Sequence, residues 1–399
     1  MGVLCFAEIA LLAVTWKVWT GHSERSVVPL LSVAAAVPKV VDVAIGCSLA
    51  ALLVAVVCLL WIDRRRQKVS VTTNRVVCIA WLLAAALPLL NMQILQPWHW
   101  LFLLLIAQWL TSRHQSILLW RQTLAGIYVF AAVSRIGPQI DSGMSVRILG
   151  MLSDLLHLPA LQRDPSVVFA GCVAMSVLEG CVGAGLLFAN TRRAAVVAGV
   201  LLHLSLIMLL GPIGLQQQPG VLIWNLFLLL ALLIVFWPNV DPPPVPDLPR
   251  LNVRRRWLVL IWAIPLSGLF GFADNWISWQ VYSPRPETIR VLVHESAVSQ
   301  VPDDLQPYLQ RPRFPNEWHW LRLDQYVLQS TGAPAYPEDR YQLAQATTVA
   351  KDLPPEAVRF VVDRPERWRW WERDQFEAKS IPELHAALGS FWLNTEHVR

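Results

Sequence analysis

Long apolar runs separated by short arginine clusters fill the first 273 residues. A bilayer's hydrocarbon core of about 30 Å takes roughly 20 apolar residues of helix. Nine segments approach or reach that length, at 2–20, 38–62, 75–92, 94–112, 116–135, 166–188, 194–211, 219–237 and 256–273. This pattern predicts a mainly α, polytopic membrane helix bundle of about nine spans over residues 1–273. After Trp276 the pattern changes. ETIRVLVHE and AVRFVVDRP alternate apolar and polar residues as half-buried strands do, whereas HWLRLDQYVLQ and PEDRYQLAQATTVAKDL repeat at helical spacing. Residues 276–399 are therefore expected to form a small α+β domain outside the membrane. Between the eighth and ninth spans, residues 238–255 contain NVDPPPVPDLPRLN, expected to be an extended linker because proline lacks an amide hydrogen and fixes φ.

Composition supports the bilayer as first partner: 55% of the 399 residues are hydrophobic and 15% charged, with a mean hydropathy of +0.44. The excess of Lys and Arg belongs to the first 281 residues, so the basic balance calls for no nucleic-acid partner. Arg64, Arg65, Arg66, Lys68 and Arg75, then Arg113 and Arg121, Arg192 and Arg193, and Arg250, Arg254, Arg255 and Arg256 all fall on one face of a nine-span layout. The opposite loops at 92–94 and 212–218 carry no Lys or Arg. The positive-inside rule then puts the N-terminus in the cytoplasm and the C-terminal domain on the far side of an inner (cytoplasmic) membrane. Residues 1–20 have no basic stretch ahead of their apolar run and are expected to remain as a span. Cys5, Cys47, Cys58, Cys78, Cys172 and Cys181 form no CxxC pair or metal spacing and read as small buried hydrophobes, so no metal is expected.

Polar residues inside spans carry the candidate chemistry, because a charged group at the bilayer centre costs about 2.5–3.5 kcal/mol on insertion scales and turns inward to a partner. Glu179 and His203 lie within the sixth and seventh spans, and Trp224 and Asn225 re-enter the membrane beyond the polar turn GPIGLQQQPG, which suits a plain turn or a lid. Arg135 closes the fifth span and, with Arg121, is a candidate partner for Glu179. Tyr128 in the fifth span and Gln96 and Trp98 at the start of the fourth complete a candidate ligand site, although Trp98 and Trp100 equally suit an aromatic belt. Ser176, Gly180 and Ala184 recur every four residues as a close-packing face. Lys39 and Asp42 are spaced to pair on one helix face, while Glu8 has no evident partner. Trp368, Trp370 and Trp371, interleaved with Arg367, Arg369 and Arg373, suit a docking surface or a tryptophan-rich core edge. No GxGxxG, P-loop, HExxH or nucleophile elbow occurs, so no catalytic residue is assigned.

The run GIYVFAAVSRIGPQI resembles the segment of vitamin K-dependent γ-carboxylase and its bacterial HTTM-domain relatives in which an aromatic-rich span ends in Ser/Ala-Gly-Leu-x-Lys-Leu-Asn/Asp. LQPW at 95–98, the stretch 179–187, HLSLIMLLGPIGL, IWN, WISWQVYS at 276–283 and PAYPEDRY at 334–341 resemble a wider group of bacterial membrane proteins labelled HTTM-like or DoxX/MauE-like. The resemblance implies an HTTM-like core at about 75–237. It departs where the carboxylase has its basic lysine, since Ser134 and Arg135 stand there and lysine occurs only at 17, 39, 68, 351 and 379. A guanidinium does not serve as that base, and the redox chemistry of the DoxX type would call for a CxxC. The expected function is an HTTM-like inner-membrane protein that binds a small amphipathic ligand, quinone or lipid, without carboxylase activity. The alternative is an anchor or assembly factor whose C-terminal domain binds a partner protein; enzymatic activity would rest on His203 or Glu179 alone.

Overall fold

A computed structural model describes the chain except residues 22–24, 26, 112–114, 138, 141–142, 160–162, 238–247, 312–316, 367, 370, 390, 392 and 396–399. Most of the proline-rich linker, Arg113, Arg367 and Trp370 thus lie outside the described residues. The helices of the first 285 residues are α1 (Gly2–Val14), α2 (Trp16–Trp19), α3 (Lys39–Arg66), α4 (Val71–Leu90), α5 (Pro97–Thr111), α6 (Ser116–Arg135), α7 (Gly143–Leu156), α8 (Pro165–Leu187), α9 (Arg192–Leu210), α10 (Pro219–Val235) and α11 (Leu248–Gly268). Among the described residues five helices, α3, α4, α6, α8 and α9, are long and apolar enough to cross a membrane, not the nine that the apolar runs predict.

Helix ends account for the difference. The 13 residues of α1, 15 of α5 and 17 of α10 rise ~20–26 Å at about 1.5 Å per residue, less than the hydrocarbon core. Pro97 and Pro219 begin α5 and α10, where a missing amide costs nothing, and residues 92–94 ahead of Pro97 turn as a short 3-10 helix. Helix α11 has 21 residues but opens with LPRLNVRRR, so its first half is basic. It also begins at Leu248, inside the stretch expected to be extended, because Pro249 occupies the first turn.

The chain divides into two compact units, one of residues 1–11, 52–81 and 97–285, the other of residues 12–51, 82–96 and 286–399. In the first, α6 is the central helix: 72% of its apolar window is buried, against 22% for α8 and 33% for α9. Close packing of α6 on α8 rests on glycine, since a Cβ at Gly183 would lie 2.8 Å from Tyr128 Cβ and 2.9 Å from the Val129 amide nitrogen. Gly180 faces Ala132 and Ser176 is buried, but Ala184 is exposed. A strict four-residue step drifts about 40° around a helix each time, so the packed face continues at 183 and not 184. Arg121, read from the sequence as a loop cation, is buried in α6 and donates from Nε to Val235 O at the end of α10 (2.9 Å). Arg192 Nε similarly reaches Leu186 O near the end of α8 (3.4 Å). Both satisfy carbonyls that a helix C-terminus leaves open. Glu8 has a partner after all, His99 Nδ1 of α5 at 2.6 Å from its Oε1, and both side chains are buried. Cys5 and Cys172 are buried, whereas Cys47, Cys58, Cys78 and Cys181 are exposed on the sides of apolar helices, contrary to the expectation of six buried thiols.

The second unit contains a five-stranded antiparallel sheet in the order β2-β3-β1-β4-β5. Its strands are β1 (Thr288–His294), β2 (Leu309–Gln310), β3 (Trp318–Leu321), β4 (Val358–Pro365) and β5 (Arg373–Ala378). The two expected strands are β1 and β4, which pair with Ile289 opposite Val362 and Val291 opposite Phe360. Their inward residues bury Leu343, Ala346 and Val349 of α13 (Asp339–Ala350) and Leu384 of α14 (Ile381–Leu388). HWLRLDQYVLQ is not one helix: Trp318–Leu321 pair with β1 and only Leu323–Thr331 coil, as α12. Earlier segments fasten to this domain. Arg25 meets Asp352 (2.9 Å) and Asp304 (3.3 Å), Gln93 donates from Nε2 to Pro334 O (2.6 Å) and accepts at Oε1 from Tyr336 N (3.1 Å), and Asn394 donates from Nδ2 to Pro29 O (2.9 Å).

Candidate ligand cavity in the helix bundle

Five helices, α6 to α10, line one cavity in the first unit. Helix α6 contributes Tyr128 and Arg135, α8 Glu179, α9 His203, and α10 Trp224 and Asn225; the remaining lining is largely aliphatic. Room for the centre of a water molecule amounts to about 110 Å³, against the ~10–15 Å³ that one water needs. Six of the eight residues expected at the site therefore share it.

The polar wall has two parts. Tyr128 Oη lies 2.6 Å from His203 Nε2, and His203 Nδ1 lies 2.9 Å from Asn225 Oδ1. Asn225 Nδ2 donates to Val221 O one turn back on its own helix (2.8 Å). All three side chains are buried and each buried polar group has a partner, which is what makes such a chain tolerable in an apolar bundle. The second part is the ion pair between Arg135 Nη1 and Glu179 Oε2, which answers the charge question left by the sequence in favour of Arg135 over Arg121. Arg135 also donates from Nε (3.4 Å) and Nη2 (3.3 Å) to Val281 O.

Gln96 and Trp98 lie outside this cavity. Gln96 donates to Gln93 O (2.9 Å) and Pro334 O (3.1 Å), so it belongs to the second unit. Trp98 is buried in the first turn of α5, its Nε1 without a partner among the described residues, and is not part of a lipid-facing belt. The turn at 211–218 is pinned by backbone bonds, Leu215 N to Leu209 O (2.8 Å) and Gln217 N to Leu210 O (2.8 Å). A Cβ at Gly214 would overlap Leu209 O, so the chain folds back there only through glycine, as a hydrogen-bonded turn.

Two contributors were missed. Met144, Ser145 and Ile148 of α7 line the cavity; residues 148, 149, 152, 155 and 156 are apolar at helical spacing, a signal present in the sequence but too short for a span. Val281 and Tyr282 line it from the segment after α11, where Trp279 and Tyr282 adopt positive φ (59° and 57°). Burial pushes the Tyr282 phenol up to about 12 despite the nearby Arg135 guanidinium, so it stays neutral.

No family model, curated protein or solved structure matches this chain. Its own geometry is the ground for a functional reading. Among the described residues no three His, Cys, Asp or Glu side chains gather as a metal site requires. The chain is a mainly helical protein with several membrane-length apolar helices, consistent with a multi-pass membrane protein.

Proposed function

We propose that this chain is an HTTM-like inner-membrane protein that holds a small amphipathic ligand, quinone or lipid, in its helix bundle and lacks carboxylase activity. The observation that carries the reading is the convergence of Tyr128, Arg135, Glu179, His203, Trp224 and Asn225 on one largely aliphatic cavity. Apolar pockets with a few convergent polar groups are where amphipathic small molecules bind. The absence of lysine between 68 and 351 leaves the bundle without an amine to act as a carboxylase-type base. An outward C-terminal domain is supported by the bonds that tie Arg25 and Gln93, each separated in sequence from the Arg64–Lys68 cluster by one expected span, to residues 304–352. Mass spectrometry of extracts from the purified protein tests the ligand: a stoichiometric quinone or lipid in wild type, diminished in Glu179→Gln and His203→Ala, is expected. Folded variants that retain the same complement as wild type, or a wild type that carries nothing, reject the reading.

A second reading, an anchor whose C-terminal domain binds a partner protein, is favoured by one observation. Trp368 and Trp371 in the β4–β5 turn are 72% and 60% exposed, which excludes them from a core edge. Pull-down with the full-length protein and its Trp368→Ser, Trp371→Ser variant separates the two, since only partner binding depends on that turn.

A further inference from the structure

The hydrogen-bond chain in the cavity wall has a direction, and Asn225 sets it. Its Nδ2 is committed to Val221 O (2.8 Å), which turns Oδ1 towards His203 Nδ1 (2.9 Å). An amide oxygen only accepts, so Nδ1 carries the ring proton. The two partners of the ring are an amide and a phenol, neither of them charged, and the ring is the neutral tautomer with its lone pair on Nε2. Tyr128 must then donate its phenolic proton to Nε2 across 2.6 Å. That proton is spent inside the wall, and Oη offers the cavity only lone pairs. Glu179 adds a second acceptor: Oε2 is held by Arg135, while Oε1 has no hydrogen-bond partner among the described residues.

From this we infer that the cavity selects an amphipath whose head group is a hydroxyl, and that Asn225 is the positioning residue that makes it so. The inference rests on the proposal that the cavity holds a ligand. A hydroxyl donates to Tyr128 Oη or Glu179 Oε1 and can still accept from Arg135, whereas an ether or ester head has no proton to donate and leaves those acceptors unmet. An unmet buried acceptor is what gives such a site its discrimination. The same chemistry is found in an alkylphenol and in a glyceride alcohol.

Full-length protein in phosphatidylcholine nanodiscs should be titrated with two matched pairs, 4-decylphenol with 4-decylanisole, and 1,2-dioctanoylglycerol with its 3-O-methyl ether. In at least one pair the hydroxyl form should bind about tenfold tighter, the worth of one well-made hydrogen bond, and the pair that responds identifies the source. Asn225→Leu frees the ring to carry its proton on Nε2, which lets Tyr128 turn its own proton to the cavity, so the preference should fall to the part that Glu179 Oε1 supplies. Asn225→Asp keeps an acceptor at Nδ1 and should keep the preference. Equal affinity within both pairs for wild type overturns the inference while leaving a ligand cavity in place, as does a folded Asn225→Leu with undiminished preference. Binding of no probe at all removes the ligand reading, and the inference with it. Should Asn225→Leu not fold, the wild-type pairs alone decide.

Discussion

At the scale of single residues, two positions give sharp expectations. The contact between α6 and α8 has no room for a side chain at Gly183, where an added Cβ meets backbone at 2.9 Å, while Gly180 has ordinary contact at 3.4 Å. Gly183→Val should therefore lower stability by about 1–3 kcal/mol, the usual cost of overpacking, and Gly180→Ala should be nearly silent; thermal unfolding in one detergent compares them. Glu287, outside the spans, is the second. Burial raises its carboxyl to about 7 from the ordinary 4.5, the nearby Asp339 adds to the rise, and Arg364 and Arg373 oppose it. Its Oε1 is buried without a partner among the described residues, while its backbone oxygen accepts from Gln342 Nε2 (2.7 Å). A raised folded value means that the native state holds the proton more tightly than the unfolded chain does. The associated stability is complete below about 4.5 and drains away as pH climbs through about 7. Glu287→Gln should flatten the fall in melting temperature across that interval and melt higher than wild type at pH 8. An unchanged slope would show that the carboxyl is ordinary.

At the scale of elements, short helices in the first unit are joined by specific polar contacts and not by length. Helix α1 meets α5 through Glu8 and His99 at 2.6 Å, both buried. Removing either side chain leaves the other, buried, one hydrogen bond short, at about 1–3 kcal/mol. Glu8→Leu and His99→Leu should each destabilise, and the double variant should lose clearly less than the sum, read as a coupling in a double-mutant cycle. Additive losses would mean that the contact contributes nothing. The same scale explains where sequence reading failed. Apolar letters continue through residues 94–95 and 236–237, yet the helices start at Pro97 and stop at Val235, because end geometry and not hydropathy sets their limits. In HWLRLDQYVLQ, helical spacing in the letters was overridden at His319–Leu321 by pairing with β1, which supplies backbone partners that a local pattern does not reveal.

At the scale of the whole molecule, sidedness is the testable property. In the second unit Arg25 and Gln93 are each bonded to the C-terminal domain; the Arg64–Arg66 cluster ends the 28-residue α3, which starts at Lys39. Fusion of an alkaline phosphatase reporter after Arg399 should give enzyme that is active outside the cytoplasm, and fusion at Gln67 should give inactive enzyme. The reverse result would invert the proposed orientation.

The sequence by itself determined that much of this polypeptide is apolar helix with a polar sheet domain behind it, because burying or exposing a side chain is a local matter of its own chemistry and repeats with the period of its element. It also supplied the polar residues of the cavity, since Glu179, His203 and Asn225 are conspicuous in apolar surroundings. Tertiary structure alone decided that five helices among the described residues reach membrane length, that Arg135 and not Arg121 pairs with Glu179, that α7 and Tyr282 complete the cavity, and that Gln96 and Trp98 belong elsewhere. Those facts depend on which faces of distant helices meet, and rotation about a helix axis is fixed by its neighbours, not by its own residues.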